Sequence, residues 1–297
     1  MSVRVYALVP EEFAPLQRLP RESITHSLAD ADVILVGTRY AHRVLDVLRD
    51  AKRVRWIHAL AAGVDKLPFD LLRSTDVVLT NSRGLYADAL AEFVVASMLF
   101  FAKDVRRLIR NQDAHRWEPY NVTRLEGQTV GVIGYGGIGQ AVARRAQGLG
   151  MKVIAIRRQR ELGDPTVDDA IAESDYVVLA TPLTPSTYHL MNAERIAAMK
   201  PRAVLINVSR GPIVDESALV AALQQKRIGG AALDVFETEP LPPDHPLWPL
   251  DNVLISPHSA DHTPDSHDRA MTFFLENLGR FERGEALENV VDENEQY

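Results

Sequence analysis

The chain has 297 residues, of which 46% are apolar, a length and composition that fit two ordinary globular domains. Its formal net charge of -7 argues against a nucleic-acid-binding surface, which normally concentrates Lys and Arg, and the absence of cysteine excludes disulfides and thiol chemistry. No signal-peptide pattern opens the sequence and its longest apolar run, Phe93 to Ala102, is too short to span a bilayer, so we expect a soluble cytoplasmic protein.

The first third of the chain alternates short β-type runs with helical segments, which is typical of a parallel sheet wound with helices. The predicted strands are Val3 to Val9, Val33 to Val36, Arg55 to Ala59 and Val77 to Thr80. Ala41 to Asp50 is predicted to form a helix between two of them. This pattern indicates a first α/β domain.

A long apolar helical pattern follows. Asp88 to Arg116 carries apolar residues at helical spacing and is predicted to form one long helix, which either joins two domains or buries its apolar stripe against a twin in a dimer. Asp265 to Arg283 repeats the pattern near the other end. If this second helix crosses back to the first block, a second domain is inserted into a discontinuous first one, and the cleft between them is the expected site.

A glycine-rich turn lies between a β-type run, Val130 to Ile133, and a good helix opening. Its residues are Gly134, Tyr135, Gly136, Gly137, Ile138 and Gly139. Gly134 permits the tight turn, Gly136 lets the backbone approach phosphates, and Gly139 lets the helix pack close to the strand, while the N–H groups of the helix start face the anion. The order strand, glycine turn, helix predicts a dinucleotide site.

The next strand, Lys152 to Ile156, ends about 20 residues beyond the first motif glycine, where an NAD-binding unit usually has an acidic residue. Arg157 and Arg158 stand there instead. Two guanidiniums attract a 2′-phosphate, so the pair favours NADP(H), with NAD(H) still possible. The alternative is a solvated basic loop tip, since Arg160 follows in the same loop.

Three polar residues follow later strands. Further strands are predicted at Tyr176 to Ala180, Val204 to Val208, Gly230 to Val235 and Val253 to Ile255, which completes a doubly wound sheet of about six strands. Arg210, Glu239 and His258 come after the last three of them. Ligands of an open α/β sheet bind beyond the carboxyl ends of its strands, so these side chains can converge beside a nicotinamide.

An arginine, a carboxylate and a histidine suit reversible hydride transfer to a 2-keto acid. Arg210 can hold the substrate carboxylate and polarise the carbonyl. His258 can give the proton that turns the developing alkoxide into a hydroxyl, and Glu239 would favour the protonated imidazole. Each residue taken alone has an ordinary structural explanation, as a surface ion pair, a turn residue or a loop histidine.

A metal site is the competing hypothesis for this region. Its ligands would be His258, Asp261, His262 and His267. Their spacing matches no helix-borne ligand pair, so we predict no metal.

Five segments of the chain resemble the sequence signatures of the D-2-hydroxyacid dehydrogenase family, and they occur in the same order. They are Ala61 to Asp65, Gly134 to Gly139, Asn207 to Gly211, Ala232 to Leu241 and Ser256 to His258. The residues of these segments are most similar to those of glyoxylate and hydroxypyruvate reductases. With the helix pattern, the resemblance implies a Rossmann dinucleotide-binding domain at 101–277, inserted into a flavodoxin-like substrate domain at 1–100 and 278–297.

The resemblance also implies residue roles. Arg210, Glu239 and His258 become the catalytic trio, and the backbone around Ala62 and Gly63 binds the substrate carboxylate from the other side of the cleft. Contacts to the nicotinamide half of the cofactor are expected from Thr181, Pro182, Val208, Asp234 and Ala260. A homodimer through the nucleotide domain and the long helix is implied as well.

The implied function is that of an oxidoreductase that transfers a hydride between NADP(H) and a small 2-keto or D-2-hydroxy acid. A scaffold that responds to dinucleotides and has little turnover, resembling the C-terminal-binding corepressors, is the alternative. The stretch from Arg157 to Asp175 is short beside the family's usual adenine-side loop.

Overall fold

The computed structural model describes residues 3–292, apart from residues 11, 159, 160 and 162. It divides into two compact units, Met1–Tyr86 with Thr263–Tyr297, and Ala87–His262. The boundaries expected at 100/101 and 277/278 need correction, because they fall inside helices Ala87–Ala102 and Ser266–Arg283. The first of these helices packs within the second unit, and the other packs on the sheet of the first unit.

The first unit is built on a four-stranded parallel sheet. Its strands, adjacent in the order of the chain, are β1 (Val5–Leu8), β2 (Val33–Val36), β3 (Trp56–Ala59) and β4 (Val78–Asn81). The four predicted strands are confirmed. The helix predicted from Ala41 begins as a 3-10 helix, Thr38–Arg43, and continues as α1 (Val44–Asp50), and α2 (Phe69–Leu72) follows β3.

An isolated bridge extends this sheet at the free edge of β1. Ile24 pairs with Val5 in parallel, and the Thr25 N–H donates to the Val5 carbonyl at 2.9 Å. Counted as a reduced second strand, the bridge gives the order 2-1-3-4-5 of a flavodoxin-like sheet. Ile34 and Leu35 of β2 pack into different apolar clusters, so both faces of the sheet are covered, as expected for parallel strands.

The second unit contains a six-stranded parallel sheet in the order β10-β9-β8-β7-β5-β6. Its strands are β5 (Thr129–Ile133), β6 (Lys152–Ile156), β7 (Tyr176–Leu179), β8 (Val204–Asn207), β9 (Gly230–Leu233) and β10 (Val253–Ile255). The predicted sheet of about six strands is confirmed. The winding reverses between β5 and β7, so the topological switch point, where such sheets bind ligands, lies at their carboxyl ends.

The helices of the two units complete the layers. They are α3 (Ala87–Ala102), α4 (Val105–Asp113), α5 (Gly137–Gly148), α6 (Val167–Glu173), α7 (Ala193–Ala198) and α8 (Glu216–Gln224) in the second unit, and α9 (Ser266–Arg283) in the first. Over the described ranges, no helix combines the length and the apolar character needed to cross a membrane.

The single long helix predicted over Asp88 to Arg116 is wrong, because the chain forms α3 and α4 with a break between them. Asp104 adopts the left-handed conformation, with φ 48°, and its carboxylate accepts from the Arg107 N–H at 3.3 Å. A left-handed residue ends a right-handed helix, and aspartate is favoured as the cap of the next one. The apolar spacing alone does not reveal this break.

Candidate active site

The glycine turn after β5 is shaped by close packing on either side of an open centre. A Cβ on Gly134, whose φ is +101°, would lie 2.4 Å from the Ala180 carbonyl oxygen, and one on Gly139 would lie 2.0 Å from the Gly134 oxygen. A Cβ on Gly136 would meet nothing within 4 Å. The outer two glycines are therefore required by the protein itself, and Gly136 faces space that a phosphate can enter next to the start of α5.

The neighbouring strand ends are joined to this turn by hydrogen bonds. Ala180 N–H donates to the Ile133 carbonyl at 2.8 Å, the Ser209 hydroxyl donates to the Thr181 carbonyl, and Val208 N–H donates to the Leu179 carbonyl at 3.4 Å. Thr181, Pro182 and Val208, expected beside a nicotinamide, thus lie on the edge of the sheet that carries the glycine turn.

The two arginines after β6 are exposed. The Arg157 guanidinium carbon lies 5.0 Å from the centroid of the Tyr135 ring, within range of a cation–π contact, which ties the arginine to the glycine turn. Arg160 lies outside the described residues. In the part of the chain that the structure describes, β6 is the edge strand of the sheet, and α6 occupies much of the stretch up to Asp175. Arg157 and Arg158 therefore stand where that edge strand ends.

The structure brings Arg210, Glu239 and His258 together at the carboxyl ends of β8, β9 and β10, three neighbouring strands. His258 Nδ1 lies 2.8 Å from Glu239 Oε2. The Arg210 guanidinium is close enough for its charge to act on the imidazole. Their side chains are partly exposed, with 40% of His258 and 30% of Glu239 open to solvent, so a ligand can reach them.

The protonation of His258 is governed by Glu239. The hydrogen bond from Glu239 raises the pKa of His258 above its ordinary 6.5, and it outweighs burial and the Arg210 charge, which both lower it. Because an ionised carboxylate only accepts hydrogen bonds, Nδ1 carries the proton in this pair. The nitrogen that titrates and can exchange a proton with a ligand is therefore Nε2.

Asp234 anchors the turn that carries His258. This carboxylate is 2% exposed, and its Oδ1 accepts from Ser256 Oγ at 2.6 Å, Ser259 N–H at 2.9 Å and Ala260 N–H at 3.1 Å. His258 itself is held in the left-handed conformation, with φ 52°. Asp234 and Ala260 were expected only to contact the cofactor. The one sequence signal for the anchoring role is a carboxylate at the end of an apolar strand.

Backbone contacts position the other two members of the trio. A Cβ on Gly211 would lie 1.9 Å from the Phe236 carbonyl carbon, so only glycine lets the Arg210 turn approach the segment that leads to Glu239. Glu239 Oε1 accepts from the Phe236 N–H at 3.1 Å. Asn207, which the sequence-based analysis did not single out, donates its amide to the Arg210 carbonyl at 3.0 Å.

Two further expectations concern other parts of the chain. Ala62 and Gly63, expected to bind the substrate carboxylate, lie in the first unit, on the partly exposed loop after β3. Among the described residues, no group of three or more His, Asp or Glu side chains is arranged to hold a metal ion. The competing metal hypothesis therefore gains no support, and His258 is paired with Glu239 instead.

Residues 95–260 match the family described as D-isomer specific 2-hydroxyacid dehydrogenase, NAD binding domain. The chain belongs to this family. The matched segment contains the glycine turn, both arginines and the whole trio. The family prediction is confirmed, and with it an oxidoreductase that uses a nicotinamide dinucleotide.

Similar proteins extend the match to the rest of the chain. A glyoxylate reductase of Korarchaeum cryptofilum is 37% identical over 84% of this chain and 79% of its own length. A glyoxylate reductase of Pyrococcus furiosus is 34% identical over 93% of this chain and 87% of its own length. The crystal structure of a D-isomer specific 2-hydroxyacid dehydrogenase from Xanthobacter autotrophicus Py2, in complex with NADPH and MES, is 30% identical with a TM-score of 0.84, and each chain covers 100% of the other.

The His258–Glu239 pair predicts a titration shift. Replacing Glu239 with Gln removes the negative charge that favours the imidazolium, so the pKa of His258 should fall. NMR titration of the His258 ring in the wild type and in Glu239→Gln measures this directly. Glu237→Gln is the matched control, because Glu237 pairs with His189 at 3.1 Å and should leave the His258 pKa unchanged. An unchanged pKa in Glu239→Gln would show that the pair does not control protonation.

Proposed function

We propose that this protein reduces a small 2-keto acid to the D-2-hydroxy acid with NADPH, as a reductase of glyoxylate or hydroxypyruvate. The observation that carries the proposal is the trio at the ends of β8, β9 and β10, in which a carboxylate holds an imidazole beside a guanidinium. A 2-keto acid needs both groups: a proton donor for its carbonyl oxygen and a cation for its carboxylate. The glyoxylate reductases among its relatives support the choice of substrate.

The roles of the trio follow from its geometry. Arg210 forms a two-pronged ion pair with the substrate carboxylate and draws electron density from the C2 carbonyl oxygen. The glycine turn would hold the phosphates of a nicotinamide dinucleotide, and that group would supply the hydride for C2 in reduction and take it up in oxidation. His258 donates its Nε2 proton to the former carbonyl oxygen, which becomes the hydroxyl, and the neutral imidazole is then protonated again from solvent.

Glu239 orients the His258 imidazole and favours its protonated form. It holds Nδ1, which leaves Nε2 free to face the reacting oxygen, and it raises the pKa of His258, so the imidazolium persists to a higher pH than it would without the carboxylate. Reduction needs the imidazolium, so its rate should fall as pH rises through that raised pKa. In the opposite direction the neutral imidazole acts as the base, and oxidation should gain from the same rise.

NADP(H) is the proposed cofactor, because positive charge lies at the end of β6. Arg157 and Arg158 stand at the end of β6, and the Tyr135 ring holds the Arg157 guanidinium beside the glycine turn. A charge-assisted bond to a 2′-phosphate contributes about 1.5 to 3 kcal/mol before solvent screening. Both arginines are exposed, which reduces this. A tenfold preference needs only about 1.4 kcal/mol.

A homodimer through the second unit is also proposed. Large apolar side chains are exposed along α4 and the segment after it: 51% of Leu108, 52% of Ile109, 98% of Trp117 and 50% of Val122. The same unit also has an apolar depression between α3 and α5, lined by Val95, Leu99 and Leu149. A monomer rarely exposes so many large apolar groups on one connected segment, and a second copy of the chain would cover them.

The trio predicts a specific loss of turnover. Arg210→Ala and His258→Ala should each lower kcat/KM for glyoxylate by about 10²- to 10⁴-fold, because each removes a group that acts on the reacting carbonyl. Binding of NADPH, followed by fluorescence, should change little. Arg210→Lys should also lose most activity, because an ammonium cannot form the planar two-pronged pair.

A panel of 2-keto acids, followed by NADPH absorbance, tests the proposal as a whole. Near-normal kcat/KM of Arg210→Ala or His258→Ala would remove the substituted residue from the mechanism. Tight NADPH binding with no turnover on any member of the panel would favour the scaffold alternative. Turnover confined to compounds without a 2-keto-acid group would overturn the substrate class.

The cofactor proposal predicts a ratio of kcat/KM for NADPH over NADH of about ten or more. Arg157→Asp should reverse the preference, because a carboxylate repels the 2′-phosphate, and Tyr135→Ala should weaken it by removing the ring that holds Arg157. Arg144→Asp, the same charge change at an exposed position on α5, is the control and should leave the ratio unchanged. A wild-type ratio at or below one would show that the arginines are only a solvated loop tip.

The dimer proposal predicts that sedimentation velocity finds two copies of the wild-type chain. Leu108→Asp should shift the protein toward the monomer, since it buries a charge in the proposed interface. Leu45→Asp is matched to it, because Leu45 is 40% exposed on α1 of the first unit and should leave the dimer intact. A monomeric wild type, or equal dissociation in both variants, contradicts the proposed surface.

A further inference from the structure

The loop after β3 is held by its carbonyl groups. Four consecutive carbonyls, those of residues 59–62, accept hydrogen bonds from residues 81–86. Ser82 Oγ donates to Ala59 at 3.2 Å, Ser82 N–H donates to Ala61 at 3.0 Å, and Asn81 Nδ2 donates to Ala62 at 2.7 Å. The Tyr86 hydroxyl donates to the carbonyl of residue 60. The whole loop is therefore fastened from one side.

These bonds orient two N–H groups. The Ala61 carbonyl and the Ala62 N–H belong to one planar peptide unit, and the Ala62 carbonyl and the Gly63 N–H belong to the next. In a trans peptide the carbonyl and the N–H point in opposite directions. Directing both carbonyls toward Asn81 and Ser82 therefore turns the Ala62 and Gly63 N–H groups away from them.

Neither N–H group is used within the protein. Across the described residues, the N–H groups of Ala62 and Gly63 donate to no protein acceptor, and both residues are partly exposed. Two adjacent unpaired N–H groups that point to one side form a concave site for an anion. The 2-keto acid of the proposed function carries such an anion, a carboxylate.

A buried polar chain supports Ser82 from behind. Trp56 Nε1 donates to Thr80 Oγ1 at 2.8 Å, Thr80 Oγ1 lies 2.7 Å from His58 Nδ1, and Ser82 Oγ lies 3.3 Å from His58 Nε2. When the Thr80 hydroxyl donates its hydrogen bond to Nδ1, the ring hydrogen is on Nε2, which donates to Ser82 Oγ, and the Ser82 hydroxyl donates to the Ala59 carbonyl. Burial lowers the pKa of His58 to about 3, so the ring is neutral and this arrangement holds at neutral pH.

We propose that Asn81 and Ser82 are positioning residues for the substrate carboxylate: by holding the Ala61 and Ala62 carbonyls they aim the Ala62 and Gly63 N–H groups at it. The inference rests on the proposed 2-keto-acid substrate and on the role expected of Ala62 and Gly63, whose N–H groups would bind its carboxylate. It adds two residues that act on the substrate through the backbone of this loop.

Asn81 offers the sharper test, because its contact is made by a side chain. Asn81→Ala leaves the Ala62 carbonyl without its donor, so the Gly63 N–H loses its fixed direction. We expect KM for glyoxylate and the inhibition constant of oxamate, a carboxylate that is not reduced, to rise about tenfold together. The kcat at saturating glyoxylate should stay within about threefold, and the Kd of NADPH should not change, because the Asn81 amide acts on the backbone of the loop after β3.

Asn277→Ala is the matched control. Asn277 is buried to the same degree as Asn81, at 1% against 2% exposed, it lies in the same unit, and its amide donates to a backbone carbonyl, that of Glu288, at 3.1 Å. It should lose similar thermal stability without a change in KM or in oxamate inhibition. If either alanine variant fails to fold, Asn81→Asp and Asn277→Asp keep the side-chain size, remove the donor, and are expected to behave in the same way.

The outcomes separate this inference from the proposed function. A wild type that reduces 2-keto acids, with KM and oxamate inhibition unchanged in the Asn81 variants, would overturn the positioning role alone. An equal rise in the Asn277 variants would assign the effect to general destabilisation and would also overturn it. A wild type that reduces no 2-keto acid would remove the proposed function and this inference with it.

Discussion

Parallel pairing of β8, β9 and β10 is the constraint on which the site of the second unit depends. Parallel strands end at the same edge of a sheet, so residues that are far apart in the chain, Arg210, Glu239 and His258, follow three adjacent strand ends. The side chains then need only short turns to meet. Gly211 and Asp234 set those turns, one by its lack of a Cβ and the other by three hydrogen bonds.

Opposed charges set the chemistry of His258. In the proposed reaction the Arg210 guanidinium holds the anionic substrate, but its positive charge disfavours the imidazolium that would deliver the proton. The Glu239 carboxylate offsets this effect through a direct hydrogen bond, which acts more strongly than a charge at longer range. The three residues are therefore interdependent, since removing the carboxylate would leave the arginine to suppress the acid.

Backbone N–H groups form both of the proposed anion sites. The glycine turn presents the N–H groups of the α5 start, and the loop after β3 presents those of Ala62 and Gly63. In each case hydrogen bonds or close packing on one side leave N–H groups directed to the other.

The sequence by itself determined the fold class, the strands, the glycine turn and the trio, because these depend on local patterns: apolar periodicity, glycine spacing and polar residues just after apolar runs. It did not reveal the break at Asp104, because the apolar spacing continues across a residue whose left-handed conformation is a local backbone choice. It also placed the unit boundaries inside α3 and α9, since which unit a helix packs on is settled by side-chain contacts between distant segments.

The tertiary structure alone decided which residues support the functional groups. Asp234 is 22 residues from Ser256, and Asn81 is 19 residues from Ala62, so no local spacing relates either pair. Burial makes these polar contacts necessary, because a buried carboxylate or amide must find partners. Which partners it finds depends on strand order and register, and only the folded chain specifies those.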